Sequence, residues 1–274
     1  MHLGRIGIWQ RRGEVSAEAA QEIEALGYSA LWLGRSPTPA EVWPFLEQTD
    51  TLIVATGILN VWRHEPADVA ARHAELTDAF PGRFLLGIGV GHPEATSAYE
   101  KPLAKMRAFF DGLDAAERPV PREQRVGAAL GPKMLDLATE RSLGAHPYFV
   151  TAEHTRFARE RMGSGALLTP EVAVVVEPDA ETARAKAREY AALYLAASNY
   201  VRNLKRLGFT DGDIADGGSD KLIDAVIAHG PPEAIAEAVA AHFDAGADHV
   251  CLQPISDDYP PVDDYRSLAR ALIE

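Results

Sequence analysis

The sequence holds a single cysteine, Cys251, among 274 residues. One thiol cannot build a disulfide framework or a thiolate metal cluster, and it suits a reducing compartment. Basic residues are in deficit: 27 Lys and Arg stand against 40 Asp and Glu, a formal net charge of −13. Nucleic acid and anionic membrane surfaces are recognised by basic faces, so neither partner is expected. No apolar run approaches the roughly 18 residues that a membrane span requires. The opening stretch MHLGRIGIWQRRGE lacks the charged leader and long apolar core of a signal peptide, which makes a cytoplasmic protein the expectation.

Familiar catalytic signatures are missing as well. The nine histidines are scattered, with no His-x-His pair and no H-E-x-x-H helix, so no metal site is expected. There is no G-x-S-x-G elbow and no P-loop. The run RFLLGIGVGHPEA, from Arg83 to Ala95, alternates Gly87, Gly89 and Gly91. A dinucleotide fingerprint needs G-x-G-x-x-G, and counting from Gly87 or Gly89 puts His92 or Glu94 at the third glycine. That spacing excludes the phosphate-loop reading.

What the chain does have is one repeated unit: an amphipathic helix, a glycine stop, then a short apolar strand. SAEAAQEIEALGYSALWLG offers Ser16 as N-cap, Ala19, Ile23 and Leu26 on one face, and Gly27 as the stop. PEAIAEAVAAHFDAGADHVCLQP repeats it with Gly246, and GPKMLDLATERSLGAHPYFVT repeats it with Gly144. The strands centre near Ile6, Leu31, Val54, Leu86, Val126, Tyr148, Val174 and Val250. Their continuous apolar character suits strands buried on both faces of a parallel sheet. This alternation predicts a (β/α)8 TIM barrel as one domain over residues 1–274, with a doubly wound open sheet as the alternative. Extra helices are expected between the seventh and eighth strands, and GFTDGDIADGGSD within them reads as a mobile loop.

In such a barrel the active site gathers at the C-terminal ends of the strands. A mouth without metal ligands, triad or Schiff-base lysine most easily does chemistry with a borrowed cofactor. Here the run WRHEPADVAARHAELTDAFPGRFLLGIGVGH resembles the third-helix-to-fourth-strand signature of the bacterial luciferase-like family. HGPPEAIAEAVAAHFDAGADHVCLQP is similar to that family's last helix and strand. RVGAALGPKMLDLATERSLGAHPYFVTAEHT resembles an actinobacterial branch of coenzyme F420-dependent oxidoreductases. The resemblance implies a luciferase-like barrel, usually a homodimer, that binds F420 or FMN and acts on a small-molecule substrate.

Carried onto this sequence, the resemblance assigns roles residue by residue. ATGIL matches the end of the third strand, where family members carry a bulge with a non-proline cis peptide behind the isoalloxazine-like ring. Gly57–Ile58 is the candidate bond, the alternative being an ordinary trans glycine at a bulge. Asn60 then stands where an amide reaches the flavin edge. Gly89 and Gly91 let a planar ring approach the backbone. His92 takes the place of a glutamate in a sugar-phosphate dehydrogenase branch, as a proton carrier or as a structural histidine. The cofactor phosphate is expected at the Thr151 helix start, with Gly131–Pro132–Lys133 as the other suitable start and a plain N-cap as the simpler role for Thr151. Trp9, Trp62 and Tyr148 are aromatic candidates for the cofactor or the substrate pocket. The family's histidine after the second strand is replaced by Arg35 and Ser36, leaving Arg35 as a possible anion contact. The reading is an F420-dependent hydride transfer, with an FMN-dependent monooxygenase and a non-catalytic flavin-binding barrel as alternatives.

Overall fold

Alternation along the strands separates an inner core from an outer one. The computed structural model describes residues 3–95 and 99–273. Its strands are β1 (Ile6–Arg11), β2 (Ala30–Gly34), β3 (Ile53–Thr56), β4 (Leu59–Asn60), β5 (Phe84–Gly89), β6 (Arg125–Gly127), β7 (Gly144–Ala145), β8 (Leu167–Leu168), β9 (Glu171–Val176), β10 (Ile227–Gly230) and β11 (Val250–Pro254). The first six helices are α1 (Ala17–Ala25), α2 (Pro39–Glu47), α3 (Pro66–Ala79), α4 (Pro102–Asp114), α5 (Pro132–Arg141) and α6 (Ala152–Met162). The rest are α7 (Ala180–Leu195), α8 (Ser198–Arg206), α9 (Asp211–Ile214), α10 (Asp220–Val226), α11 (Pro232–Asp244) and α12 (Val262–Leu272).

The strands run parallel in the order β10-β9-β11-β1-β2-β3-β5-β6-β7-β8, with β4 beside β5. The two ends of that path meet, because only Thr169 and Pro170 separate β8 from β9. Pro170 has no N–H to give the ladder, which is why one strand reads as two. On one side of it Leu167, Thr169 and Glu171 donate to the carbonyls of Leu143, Ala145 and Pro147, each at 2.9 Å. On the other side Cys251 donates to Pro170 O at 3.0 Å. The ring is closed, and the fold is the expected (β/α)8 barrel. β4 continues β3 beyond the Gly57–Ile58 bulge, and β10 extends the β7 edge from Ala173 to Val176.

Outward side chains such as Ile8, Leu31, Val54, Leu86, Val174 and Leu252 meet the helices in the larger core. Each is almost wholly buried and contributes roughly 1.5–3 kcal/mol by leaving water. The inward set, Trp9, Ala30, Trp32, Ala55, Leu85, Val126 and Cys251, fills the barrel. Small residues opposite two indoles keep the interior packed rather than porous.

Two of the three proposed glycine stops hold. Gly27 (φ 86°) and Gly246 (φ 101°) are left-handed, beyond α1 and α11. Gly144 differs: α5 ends at an extended Ser142, whose hydroxyl donates to Ala138 O at 2.7 Å. Gly144 instead belongs to β7, where a Cβ would sit 1.8 Å from Leu167 O, so close strand approach selects glycine here. The sixth strand therefore centres on Gly144–Ala145, and Tyr148 lies beyond it, toward the mouth. GFTDGDIADGGSD is likewise structured. Thr210 and Asp213 form a reciprocal capping box at the start of α9.

The insertion between the seventh and eighth barrel strands supplies α7 to α10. Its Tyr190, Tyr194, Tyr200, Leu204, Leu222 and Ile223 share an apolar cluster with Phe149. That cluster sets the insertion over the C-terminal ends of the strands.

Candidate active site

The peptide between Gly57 and Ile58 is cis, at the bulge that joins β3 to β4. The Trp9 indole rests on this bulge and donates its N–H to Gly57 O at 3.0 Å. A Cβ on Gly34 would fall 2.3 Å from the indole, and one on Gly57 would fall 2.6 Å from its nitrogen. Both glycines therefore make room for Trp9. Tyr148 meets the indole at 5.2 Å between ring centroids.

Tyr148 is also the centre of a phenol network. Its hydroxyl lies 2.8 Å from Tyr190 OH and 2.7 Å from Tyr194 OH, and it donates to Gln253 Oε1 at 2.6 Å. Burial pushes the Tyr148 and Tyr190 phenols well above their usual range, so these two stay protonated and donate to Gln253 Oε1. Tyr190 and Tyr194 lie one turn apart on α7, and Tyr200 on α8 extends the group to His92 with a centroid distance of 5.1 Å. Beside them Arg11, at the end of β1, reaches Glu14 at 3.5 Å. Arg11 opens onto a cavity of about 250 Å³ lined also by Lys186, Tyr190, Ile255 and Tyr259.

His92 follows β5 and is half-buried. Burial lowers its pKa below the ordinary imidazole value, against opposing contributions from Asn199 and Glu94. The ring is thus neutral at neutral pH. Glu94 accepts the Ser198 N–H at 3.0 Å, which ties the loop after β5 to the start of α8.

A second group lies on the β2–β4 side of the mouth. Asn60 donates its backbone N–H to Ser36 Oγ at 2.8 Å, and its own Oδ1 accepts from Trp62 N at 3.0 Å. Gly91 (φ 62°) passes close to this amide, since a Cβ there would be 2.9 Å from Asn60 Nδ2. Gly89 is paired with Asn60 in the ladder and backs onto Ile58 and Ala128. His64 sits 3.5 Å from Ser36 Oγ, its pKa lowered by burial and by Arg63.

The structure therefore brings together Trp9, Gly57, Ile58 and Tyr148, and links them through Tyr200 to His92. It sets other candidates apart. Trp62 donates its indole N–H to Val90 O at 2.9 Å and packs against the strand–helix core, with Lys105 Nζ 5.4 Å above the ring. Arg35 is exposed, in a left-handed conformation (φ 63°), and 3.9 Å from Glu14. Thr151 is wholly buried, and its hydroxyl accepts His154 N at 3.2 Å as the N-cap of α6. The start of α5 is more open. Its N-cap Gly131 makes no side-chain bond, and Arg206 Nη2 lies 3.6 Å from a Cβ placed there.

Sequence reading missed Arg11, Glu171 and the tyrosines of the insertion. The signal was present in REYAALYLAASNY, where Tyr190 and Tyr194 recur at i and i+4 among alanines. Among the described residues no three His, Cys, Asp or Glu side chains are grouped to hold a metal ion, and no helix is long and apolar enough to cross a membrane.

Solved structures share this architecture along nearly the whole chain. One is an F420-dependent secondary alcohol dehydrogenase in complex with an F420–acetone adduct, at 15% identity, a TM-score of 0.76 and 98% coverage of both chains. The coenzyme F420-dependent tetrahydromethanopterin reductase from Methanopyrus kandleri matches at the same identity, score and coverage. The oxygenating constituent of 3,6-diketocamphane monooxygenase from Pseudomonas putida, in complex with FMN, matches at 16% identity and a TM-score of 0.66, over 97% of this chain and 96% of the other. At these identities the likeness establishes the fold. The family model described as luciferase-like monooxygenase matches residues 13–249, from just before the first helix to just before the last strand, and the chain belongs to that family.

Proposed function

We propose that this protein transfers a hydride between coenzyme F420 and a small organic substrate at the C-terminal face of its barrel. The observation that carries the reading is the convergence of the Gly57–Ile58 bulge, the Trp9 and Tyr148 rings and His92 around one mouth. Two fold neighbours at a TM-score of 0.76 are F420-dependent enzymes, which supports F420 over FMN as the first choice.

The residues fit such a cofactor in kind. Trp9, Tyr148 and Tyr200 offer aromatic faces to a planar ring. Because the indole already covers Gly57, Trp9 rather than the bulge backbone would form the surface that meets the ring. For the anionic tail, Lys133 and Arg206 at the open start of α5 are better placed than the buried Thr151. Gly89 and Gly91 would keep the wall beside Asn60 thin. Bound F420 would supply the hydride-carrying carbon. The chain's own part would be to orient the ring, exclude water with the α7–α8 tyrosines and handle a proton at His92. A neutral imidazole accepts the proton that leaves a substrate as its hydride departs, and returns it in the reverse direction.

The FMN-dependent monooxygenase remains the second reading, supported by the FMN complex among the fold neighbours. A non-catalytic barrel is the third, supported by the aromatic side chains that already fill the mouth. Titration with F420 and with FMN, followed by tryptophan fluorescence, discriminates them. Preferential FMN binding without F420 affinity would overturn the proposal, and binding of neither would favour the third reading. His92→Ala is expected to cut turnover by about 10²–10⁴-fold with F420 still bound. The resemblance also implies a homodimer, for which light scattering gives the subunit count.

A further inference from the structure

The cavity between the end of β1 and α7 joins a guanidinium to an apolar edge. Its less exposed side is formed by Arg11, Tyr190, Ile255 and Ser256, and its outer edge by Leu193 and Tyr259, which are 63% and 38% exposed. Arg11 carries five N–H donors, and its contacts engage few of them. Glu14 Oε1 lies 3.5 Å from its Nη1 but is shared with Arg35 at 3.9 Å, and the Tyr194 phenol stands beside the group. Two hydroxyls line the same space. Ser256 Oγ accepts the Asp258 N–H and Tyr259 OH accepts the Ser256 N–H, each at 3.3 Å. Among the described residues neither hydroxyl passes its own proton to an acceptor. The other charges of the lining are Lys186, held by Asp257 at 2.9 Å, and Glu189, which is exposed. The volume of about 250 Å³ is below the roughly 300–1,000 Å³ of pockets for drug-sized molecules, so the fitting ligand is small.

We infer that this cavity binds the carboxylate of a small acid with an apolar body, the substrate class of the proposed hydride transfer. Arg11 offers a planar fork that matches a carboxylate through two parallel bonds, and the Ser256 and Tyr259 hydroxyls add donors. Leu193 and Ile255 supply apolar surface for the chain behind the carboxylate. Tyr190 walls the cavity, and its hydroxyl lies 2.8 Å from Tyr148 OH. A bound acid therefore lies one side chain away from the ring that packs on Trp9. That the acid is a substrate rests on the hydride-transfer reading, while its binding here does not.

The test is ligand-observed NMR titration of the full chain with acetate, butyrate and hexanoate, and with hexanamide as the uncharged match. Hexanoate should bind about tenfold more tightly than hexanamide. Affinity should rise about two- to fourfold per methylene along the acid series. Arg11→Met should abolish the preference for hexanoate and leave hexanamide binding unchanged, and Arg11→Lys, which keeps the charge without the fork, should fall between. Leu193→Ser lies on the exposed edge, so the fold survives it; it should weaken hexanoate and spare acetate. Equal affinity for hexanoate and hexanamide would overturn the inference, and so would a flat acid series. Unchanged hexanoate binding in a folded Arg11→Met protein would overturn it too, as would tighter binding of inorganic phosphate than of hexanoate. Absence of F420 binding beside a preserved hexanoate preference would instead remove the hydride-transfer reading and leave the carboxylate site standing.

Discussion

Glu171 holds the backbone of Phe149, its Oε2 accepting the Phe149 N–H at 3.0 Å inside the barrel. Phe149 is left-handed (φ 54°), an uncommon conformation for an aromatic residue, and it forms the corner from which Tyr148 enters the mouth. Glu171 is 0% exposed, and burial pushes its carboxyl up to about 8, with the Phe149 N–H opposing.

A raised carboxyl pKa fixes the sign of a pH effect. Between the unfolded value of 4.5 and the folded value of about 8, the native state keeps a proton that the unfolded chain releases. The contribution is therefore full below 4.5 and is lost as pH rises through about 8. Glu171→Gln retains an acceptor for Phe149 and should abolish this group's share of the pH slope, seen as a wild-type minus variant difference in Tm from pH 5 to 8. Glu171→Ala leaves the Phe149 N–H unpaired and should cost about 1–3 kcal/mol at low pH.

The buried histidines act in the opposite direction. Burial pushes His146, His154, His242 and His249 down to about 4, so they stay neutral in the fold while the unfolded chain protonates near 6.5. Their stabilisation is present above 6.5 and is lost as pH falls through about 4. Thermal unfolding should therefore show a steep fall in Tm across that window. His242→Gln, which preserves a partner for Thr155, should lessen the slope.

At the bulge, Gly57→Ala would place a methyl 2.6 Å from Trp9 Nε1 and displace the indole. A loss of about 1–3 kcal/mol is expected, together with altered tryptophan emission. Trp9→Phe removes the donor to Gly57 O and should cost a similar amount, measured by urea unfolding.

Tyr148→Phe deletes the hydroxyl that joins Tyr190, Tyr194 and Gln253. Tyr190 still donates to Gln253 Oε1 at 3.1 Å, so the network is weakened rather than lost. The expected cost is about 1–2 kcal/mol in urea unfolding. A fully neutral substitution would mean that the phenols find water instead.

The barrel was legible because its signals are local. Apolar runs, Ser16 as a cap and Gly27 and Gly246 as stops each fix their own neighbourhood. Gly144 misled because glycine serves two purposes: a helix stop needs positive φ, and a crowded ladder needs no Cβ. Which one applies depends on Leu167, far along the chain. The bulge at Gly57–Ile58 came from family resemblance, not from periodicity. Glu171 and Arg11 stayed hidden for another reason. Each becomes a candidate only through a neighbour brought by the closed ring or the insertion, and nothing in its own surrounding sequence marks it.

The Glu94–Ser198 tie described above also makes the mouth lopsided. It fastens the insertion to the loop after β5, while α7 sits on Tyr148 and Gln253, so the strand ends from β5 round to β11 lie beneath α7 and α8. Arg11, at the end of β1, faces α7 across the cavity lined by Lys186 and Tyr190, whereas Arg35, at the end of β2, is exposed. The two arginines therefore meet Glu14 from opposite surroundings, one beneath the insertion and one in solvent.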